Sequence, residues 1–213
     1  FIDAIDPVGT VNVGVHDRMG RVFDRLKLFY PELGGERVAD IAVYHSLDSK
    51  FDMRENGRPA ADVGNNDTHT PAAMNTARRL IANHLPFTVI TARQIGQLAR
   101  FKVLILSNVE GLQDVFVRLL RRLQPSFTVE AAAPGAVELT LFHQPERHRH
   151  VLSLVNFQHD LPNLPVDGIE VRLRLPQRIR HIRPLPNGKV LRHRARNGLT
   201  TFQAPRLETL AML

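Results

Sequence analysis

The sequence contains no cysteine and no tryptophan, and it has two tyrosines among 213 residues. The absence of cysteine excludes a disulfide-stabilised fold, zinc sites built from thiolates and a cysteine nucleophile. No apolar run approaches the roughly 18 residues that a membrane-spanning helix needs, and the first residues lack the basic start and apolar core of a signal peptide. We therefore predict no membrane partner. Phe1 is not a methionine, so we expect the gene product to begin further upstream.

Catalytic signatures are also scarce. The sequence has no Gly-x-Ser-x-Gly elbow, no Gly-x-x-x-x-Gly-Lys phosphate loop and no His-Glu-x-x-His helix. Asp3 and Asp6 lie close together, but an isolated pair in an N-terminal segment is more often solvated or capping than an acid–base couple. We predict that this chain contributes no catalytic residue and binds no cofactor.

Charge is the strongest compositional feature, with a formal net charge of +7. The basic excess lies mainly after residue 129, where arginines alternate with apolar residues, as in Val171–Leu175. This period of two is typical of a strand with one solvated face. Clustered Arg and Lys can also bind a phosphate backbone, but few aromatic side chains are present to stack on bases. We predict a solvated surface and no nucleic-acid partner, and weak binding of anionic polymers by Arg-rich strands is the alternative.

The first half alternates helical and strand patterns. An amphipathic helix follows Thr10 or Asn12, either of which can cap it. The predicted strands are Val38–Tyr44, Phe87–Thr91 and Val103–Ser107, and further helices begin at Thr70 and near Leu112. This alternation predicts an α/β fold with a parallel sheet of doubly wound type. Three strands leave that sheet incomplete, since about five or six are usual. We therefore expect additional chain between about Gln124 and Phe127, or another subunit, to complete it.

Helical periodicity disappears after Phe127. Alternating runs predict strands at 137–142, 151–157, 169–175, 179–182, 189–193, 199–203 and 207–212. Asn187-Gly188 and Asn197-Gly198 each indicate a tight hairpin, because both turn residues tolerate positive φ. The pattern predicts an antiparallel β-sandwich over residues 127–213, after an incomplete α/β domain over residues 36–124.

Candidate binding residues gather where the predicted parallel strands end. Ligands of open parallel sheets collect at the carboxyl ends of the strands. The polar residues expected there are Tyr44, His45, Ser46, Lys50, Asn66, His69 and Asn108. The alternative is a solvated loop in which Asn and Asp serve turns.

Three histidines form the densest imidazole group, namely His143, His148 and His150. A metal site is conceivable, and His148 and His150 are expected on the same face of one strand. No nearby cysteine or carboxylate pair completes a ligand set, and Arg147 and Arg149 would repel a cation. We predict exposed strand histidines and no metal.

Several segments resemble the region after the catalytic barrel in glycoside hydrolases of the family 42 β-galactosidase-like type and the related α-L-fucosidase-like enzymes. They are Ile5–Thr10, Val38–Ser46, Phe101–Asn108, Val151–Phe157 and Pro205–Met212. In that family a TIM barrel carries the two catalytic carboxylates, a flavodoxin-like or amidotransferase-like domain involved in trimer formation follows, and a β-sandwich closes the chain.

The resemblance implies a function without catalysis for this chain. Residues 1–35 would end an upstream TIM barrel, and the chain would lack the acid and the nucleophile. It implies three partners: the upstream catalytic barrel, further copies in a homo-oligomer and the carbohydrate substrate of the parent enzyme. A free-standing binding module with an Arg-rich β face is the rival interpretation. A self-sufficient hydrolase has only the loop residues in its favour.

Overall fold

The computed structural model describes residues 9, 11–46, 69–107, 116–158 and 162–213. Its helices are α1 (Val13–Lys27), α2 (His69–Ala82) and α3 (Phe116–Leu123), with 3-10 turns at Tyr30–Glu32, Ala92–Arg100 and Pro145–Arg147. Its strands are β1 (Glu36–Val38), β2 (Ile41–Tyr44), β3 (Phe87–Ile90), β4 (Val103–Leu106), β5 (Val129–Ala132), β6 (Val137–Gln144), β7 (Arg149–Asn156), β8 (Glu170–Leu173), β9 (His193–Arg196), β10 (Leu199–Gln203) and β11 (Leu210–Met212). In these ranges the strands form one parallel and two antiparallel sheets. This confirms the expected combination of an α/β part with a largely antiparallel part.

The parallel sheet has the strand order β3-β2-β4. Its central strand is apolar, and Ile41 and Val43 are at most 1% exposed. A strand flanked by two others and covered by helices is expected to be a short apolar run. Leu80 of α2 and Leu120 of α3 pack in the same buried cluster. The helices therefore lie against the sheet, as the alternating pattern predicts.

The predicted strand Val38–Tyr44 is divided between two sheets. Val38 ends β1, which pairs antiparallel with β6, whereas Ile41 begins β2 in the parallel sheet. Asp40 lies at the crossing point, where its backbone carbonyl accepts a hydrogen bond from the N–H of Lys102 at 2.7 Å. Periodicity could not show this division, because both parts of the run are largely apolar.

The antiparallel sheets have the orders β1-β6-β7-β11 and β5-β8-β10-β9. Their buried side chains form one common core, which includes Leu139, Leu154, Val171 and Phe202. The two sheets therefore pack as a sandwich. Between β9 and β10, Asn197 and Gly198 have φ angles of 50° and 74°. The predicted Asn-Gly hairpin is confirmed at this position.

Two predicted strands do not form. The segment 174–192 contains no strand, so the predictions for 179–182 and 189–193 are wrong, and β9 begins only at His193. Prolines remove backbone donors from this segment, and they are Pro176, Pro184 and Pro186. Asn187-Gly188 consequently does not join two strands. The sequence analysis also missed β1 and β5.

Helix α1 is amphipathic, and the rest of the described chain does not bury it. The Asn12 side chain accepts a hydrogen bond from the backbone N–H of Val15 at 3.2 Å, which confirms Asn12 as the cap. No residue of α1 is buried. Val22 is 57% exposed and Phe23 is 44% exposed. No helix in the described ranges is long and apolar enough to cross a membrane.

The connection from α3 to β5 is continuous and packed. The N–H of Gln124 donates to the carbonyl of Leu120 at 2.8 Å, and its side-chain amide donates to the carbonyl of Ser126 at 2.6 Å. Phe127 is 2% exposed and belongs to the core of the α/β part. The segment from Gln124 to Phe127 therefore packs on the core, and the parallel sheet has three strands in the described residues, as expected.

Candidate functional site

The carboxyl edge of the parallel sheet brings several predicted residues together. Tyr44 ends β2 and is followed by His45 and Ser46, while His69 begins α2. The backbone N–H of Ser46 donates to Nε2 of His69 at 2.8 Å. Because Nε2 accepts this hydrogen bond, the ring proton of neutral His69 lies on Nδ1. The His69 ring is therefore held in one orientation and one tautomer.

His45 completes a pair of imidazoles at this edge. Its ring stacks on that of His69 with centroids 5.1 Å apart and an angle of 29° between the planes. Its backbone N–H donates to the carbonyl of Ile90 at 2.8 Å, which continues the hydrogen bonding of β2 with β3. His69 is 5% exposed, and His45 is partly exposed above it. The two rings present a hydrogen-bonding surface next to the sheet.

Ser107 was missed by the sequence analysis. It directly follows β4, is 6% exposed, and its hydroxyl makes no hydrogen bond with any described residue. The sequence did contain a signal for it, because Ser107 is the polar residue that directly follows an apolar strand. Lys50, Asn66 and Asn108, also expected at this edge, lie outside the described residues. In the described part of this edge His45 is partly exposed, whereas His69 and the hydroxyl of Ser107 are buried.

A second group of polar side chains lines a cleft between the two sheets of the sandwich. Its volume is about 1470 Å³. His143 on β6 and His150 on β7 are direct cross-strand neighbours, and their rings stack with centroids 4.6 Å apart. His148 has a φ of 48° and lies in the turn before β7. The expectation that His148 and His150 share a strand face is wrong, because His148 belongs to the turn and β7 begins only at Arg149.

The environment of His150 affects its proton affinity. Burial lowers the pKa of His150 below its ordinary value of 6.5, and the neighbouring His143 lowers the pKa further. His150 is therefore mainly neutral at pH 7. No group of three or more His, Asp or Glu side chains in the described ranges is arranged to hold a metal ion.

Comparisons with known proteins show similarity in fold. No family model and no curated protein sequence matches the chain. The structure is similar to α-L-fucosidase isoenzyme 2 from Paenibacillus thiaminolyticus, with a TM-score of 0.73 and 12% identity over 98% of this chain and 53% of that chain. It is also similar to a catalytic mutant of Gan42B, a GH42 β-galactosidase from G. stearothermophilus, with a TM-score of 0.57 and 10% identity over 98% of this chain and 45% of that chain.

The described fold therefore resembles part of the fold of two glycoside hydrolase chains. The chain spans about half the length of the two solved structures. At identities of 10–12%, this likeness shows the fold.

Proposed function

We propose that this chain is the non-catalytic C-terminal part of a glycoside hydrolase. The match to the α-L-fucosidase carries this proposal, because it includes 98% of this chain but 53% of the enzyme. A likeness of this extent includes the α/β part, the sandwich and their arrangement. In the proposed assignment the α/β part is a flavodoxin-like or amidotransferase-like domain, the sandwich is the terminal domain, and a TIM barrel precedes both.

The buried carboxylates support a non-catalytic role. Asp40 is 8% exposed and pairs with Nζ of Lys102 at 3.1 Å. Glu130 is also 8% exposed and pairs with Arg121 at 2.7 Å and with Arg174 at 2.8 Å. Each of these carboxylates holds elements of the fold together. A general acid or nucleophile would instead need to face a substrate.

Exposed apolar surface supports association with other parts of an enzyme. The apolar stripe of α1 includes Val22 and Phe23, which the described chain leaves exposed. On the edge strand β4, Leu104 is 42% exposed and Leu106 is 62% exposed. Contiguous exposed apolar surface is typical of interaction sites. The proposal assigns the α1 stripe to the upstream catalytic barrel and the β4 edge to a second copy of the chain.

The carboxyl edge of the parallel sheet fits the rim of an active site that another domain would carry. His45 and His69 offer imidazole groups, and Ser107 offers a buried hydroxyl that can donate or accept a hydrogen bond. Sugar hydroxyls are recognised by hydrogen bonds of this kind. These side chains would contact the carbohydrate substrate without performing the chemistry.

Activity measurements on the purified chain test the proposal. Aryl α-L-fucosides and aryl β-galactosides report cleavage directly, and no turnover above background is expected. Turnover that disappears on substitution of any one Asp or Glu of this chain would show that the chain is itself a hydrolase.

Sedimentation tests the proposed self-association. The mass is expected to exceed the 24.0 kDa of one chain at high protein concentration. Leu106→Asp places a charge on the β4 edge and should bring the mass towards that of a single chain. Arg93→Asp, at an exposed position, changes charge away from this strand and should leave the mass as in wild type. A wild-type chain that is monomeric at every concentration contradicts this part of the proposal.

A free-standing module that binds anionic polymers is the second candidate function. On and beside β9, Arg192, Arg194 and Arg196 are exposed and form no ion pair with a described residue. Such unpaired arginines can bind carboxylate, sulfate or phosphate groups. Loss of anionic-polymer binding on Arg194→Gln/Arg196→Gln would favour this candidate.

A further inference from the structure

The cleft between the two sandwich sheets has the dimensions of a site for an extended ligand. Its volume of about 1470 Å³ exceeds the roughly 300–1,000 Å³ of most small-molecule pockets. One wall is formed by β6 and β7, and the opposite wall by β8, β9 and the segment 174–192. That segment forms no strand, and the N–H of Leu185 ties it to the carbonyl of Met212 on β11 at 2.7 Å.

The cleft carries uncompensated positive charge. Arg178, Arg180 and Arg183 line it, and none of them forms an ion pair with a described residue. Glu32 is the one Asp or Glu among the described lining residues, and it is already bound by Arg149. A free guanidinium binds a carboxylate or sulfate through two parallel N–H donors. The charge of the cleft therefore selects an anion.

The histidines add further hydrogen-bonding groups to the cleft. His143 and His150 project from one wall, and His193 on β9 projects from the other. A neutral imidazole donates one hydrogen bond and accepts another. Neighbouring hydroxyl groups on a ligand can make both kinds of bond, which suits a polyhydroxylated molecule.

The floor of the cleft is apolar and largely buried. Leu141 is 1% exposed and Phe202 is 4% exposed, and the half-buried Leu175 and Ile179 add apolar surface beside the Arg and His side chains. The two tyrosines of the chain, Tyr30 and Tyr44, do not line the cleft. Because Phe202 is 4% exposed, the cleft lacks the accessible phenyl, indole and phenol platforms typical of single-stranded nucleic-acid sites.

We propose that this cleft binds an acidic oligosaccharide. The carboxylate or sulfate groups of the ligand bind to Arg178, Arg180 and Arg183, and its hydroxyls form hydrogen bonds with His143 and His150. The choice of a saccharide over another hydrophilic anion rests on the proposed function, whereas the position and charge of the site rest on the cleft itself.

Calorimetric titration of the full chain tests this site with defined probes. A heparin-derived hexasaccharide carries sulfates and uronates, hexagalacturonate carries carboxylates, and cellohexaose is an uncharged ligand of equal length. At an ionic strength of about 0.15 M, long-range surface attraction is largely screened. At least one acidic hexasaccharide is expected to bind, and cellohexaose is not. Binding of cellohexaose as tightly as the acidic probes would overturn the assignment of charge as the determinant.

A matched pair of variants locates the binding. Arg180→Gln/Arg183→Gln removes two charges from the cleft and should weaken binding about tenfold or more, since charge-assisted hydrogen bonds are lost. Arg194→Gln/Arg196→Gln removes two charges from β9 at positions that alternate with the cleft residues His193 and Ala195. This control should change the Kd by less than about twofold. Equal losses in both variants, or a larger loss in the control, would overturn the cleft as the site.

Two further probes separate other anions from a saccharide. Inorganic sulfate at the same sulfate concentration as the heparin probe should not displace it, and a short DNA duplex should bind more weakly than the acidic hexasaccharides. Displacement by free sulfate, preferred binding of DNA, or no binding of either acidic hexasaccharide would each overturn the proposal. These results are independent of the activity and sedimentation measurements, so failure of the cleft assignment leaves the proposed function separately testable.

Discussion

Thr128 at the start of the sandwich is bound twice by the carboxylate of Asp40 at the start of the parallel sheet. Oγ1 of Thr128 donates to Oδ1 of Asp40 at 2.8 Å, and the backbone N–H of Thr128 donates to Oδ2. Nζ of Lys102 lies 3.1 Å from the same carboxylate. At Asp40 the chain passes from the sandwich to the α/β part, and at Thr128 it passes back. The contact between these two residues therefore joins the two parts of the fold.

Removal of that carboxylate should weaken the whole fold. Asp40→Ala leaves the N–H and hydroxyl of Thr128 without this partner, whereas the exposed ammonium of Lys102 can be solvated, and we expect a loss of about 1–3 kcal/mol in the free energy of unfolding. Asp24→Ala is the control, because Asp24 and Lys27 form an exposed pair 2.7 Å apart. Urea unfolding measures both. Similar stability of the two variants would show that the junction contributes little.

His84 forms a second connection between the two parts. Its Nδ1 lies 2.8 Å from the carbonyl oxygen of Val137, and its Nε2 lies 2.7 Å from that of Ala133. The residue is 5% exposed and has a φ of 56°. His84→Ala should lower the free energy of unfolding by about 1–3 kcal/mol, because at least one buried carbonyl loses its hydrogen-bond donor.

His84→Gly tests the backbone conformation at this position. Glycine adopts positive φ without the strain of a Cβ atom, so this variant should be more stable than His84→Ala by about 1 kcal/mol. The difference between His84→Ala and wild type then reports mainly the lost ring contacts, because histidine and alanine both carry a Cβ atom. Equal stability of the alanine and glycine variants would show that the left-handed conformation is not retained.

The linker between α1 and β1 provides a prediction with an internal control. Gly34 and Gly35 have φ angles of +98° and +103°. A Cβ on Gly34 would meet nothing within 4 Å, whereas a Cβ on Gly35 would lie 2.5 Å from the carbonyl oxygen of His143. Gly34→Ala should cost about 1–2 kcal/mol through backbone strain alone. Gly35→Ala should cost more and expose the linker to limited proteolysis. Equal effects would contradict the close packing of Gly35 against β6.

Periodicity was sufficient for elements that bury a single face or form a single buried run. It predicted the capped helix α1, the parallel strands β3 and β4, and the hairpin at Asn197. It failed where tertiary contacts decide the structure. Residues 38–44 form one apolar run, yet Asp40 diverts the chain between two sheets through its contacts with Lys102 and Thr128. Those partners are distant in sequence and leave no local pattern.

The candidate sites were predictable to different degrees. His45 and Ser46 follow directly from the rule that ligands meet the carboxyl ends of parallel strands, and their contact with His69 needs only a helix that starts beside that edge. The cleft could not be predicted, because its walls come from five strands and the irregular segment 174–192. Alternating Arg and apolar residues in that segment indicate a strand in sequence. The segment instead runs between prolines as irregular chain, with Arg180 and Arg183 beside the cleft.

The cleft histidines predict a pH dependence of stability. Burial lowers the pKa of His150 in the folded chain, and the adjacent His143 lowers the pKa further. The unfolded chain therefore binds more protons at this residue as the pH falls through about 6.5, so its contribution favours folding above that pH and is lost below it. His150→Gln should reduce the loss of stability between about pH 7.5 and pH 5.5 in urea unfolding. His16→Gln is the matched control, since His16 is exposed on α1 and its substitution should leave the wild-type dependence unchanged. A wild-type slope in the His150 variant would show that burial of this ring does not oppose its protonation.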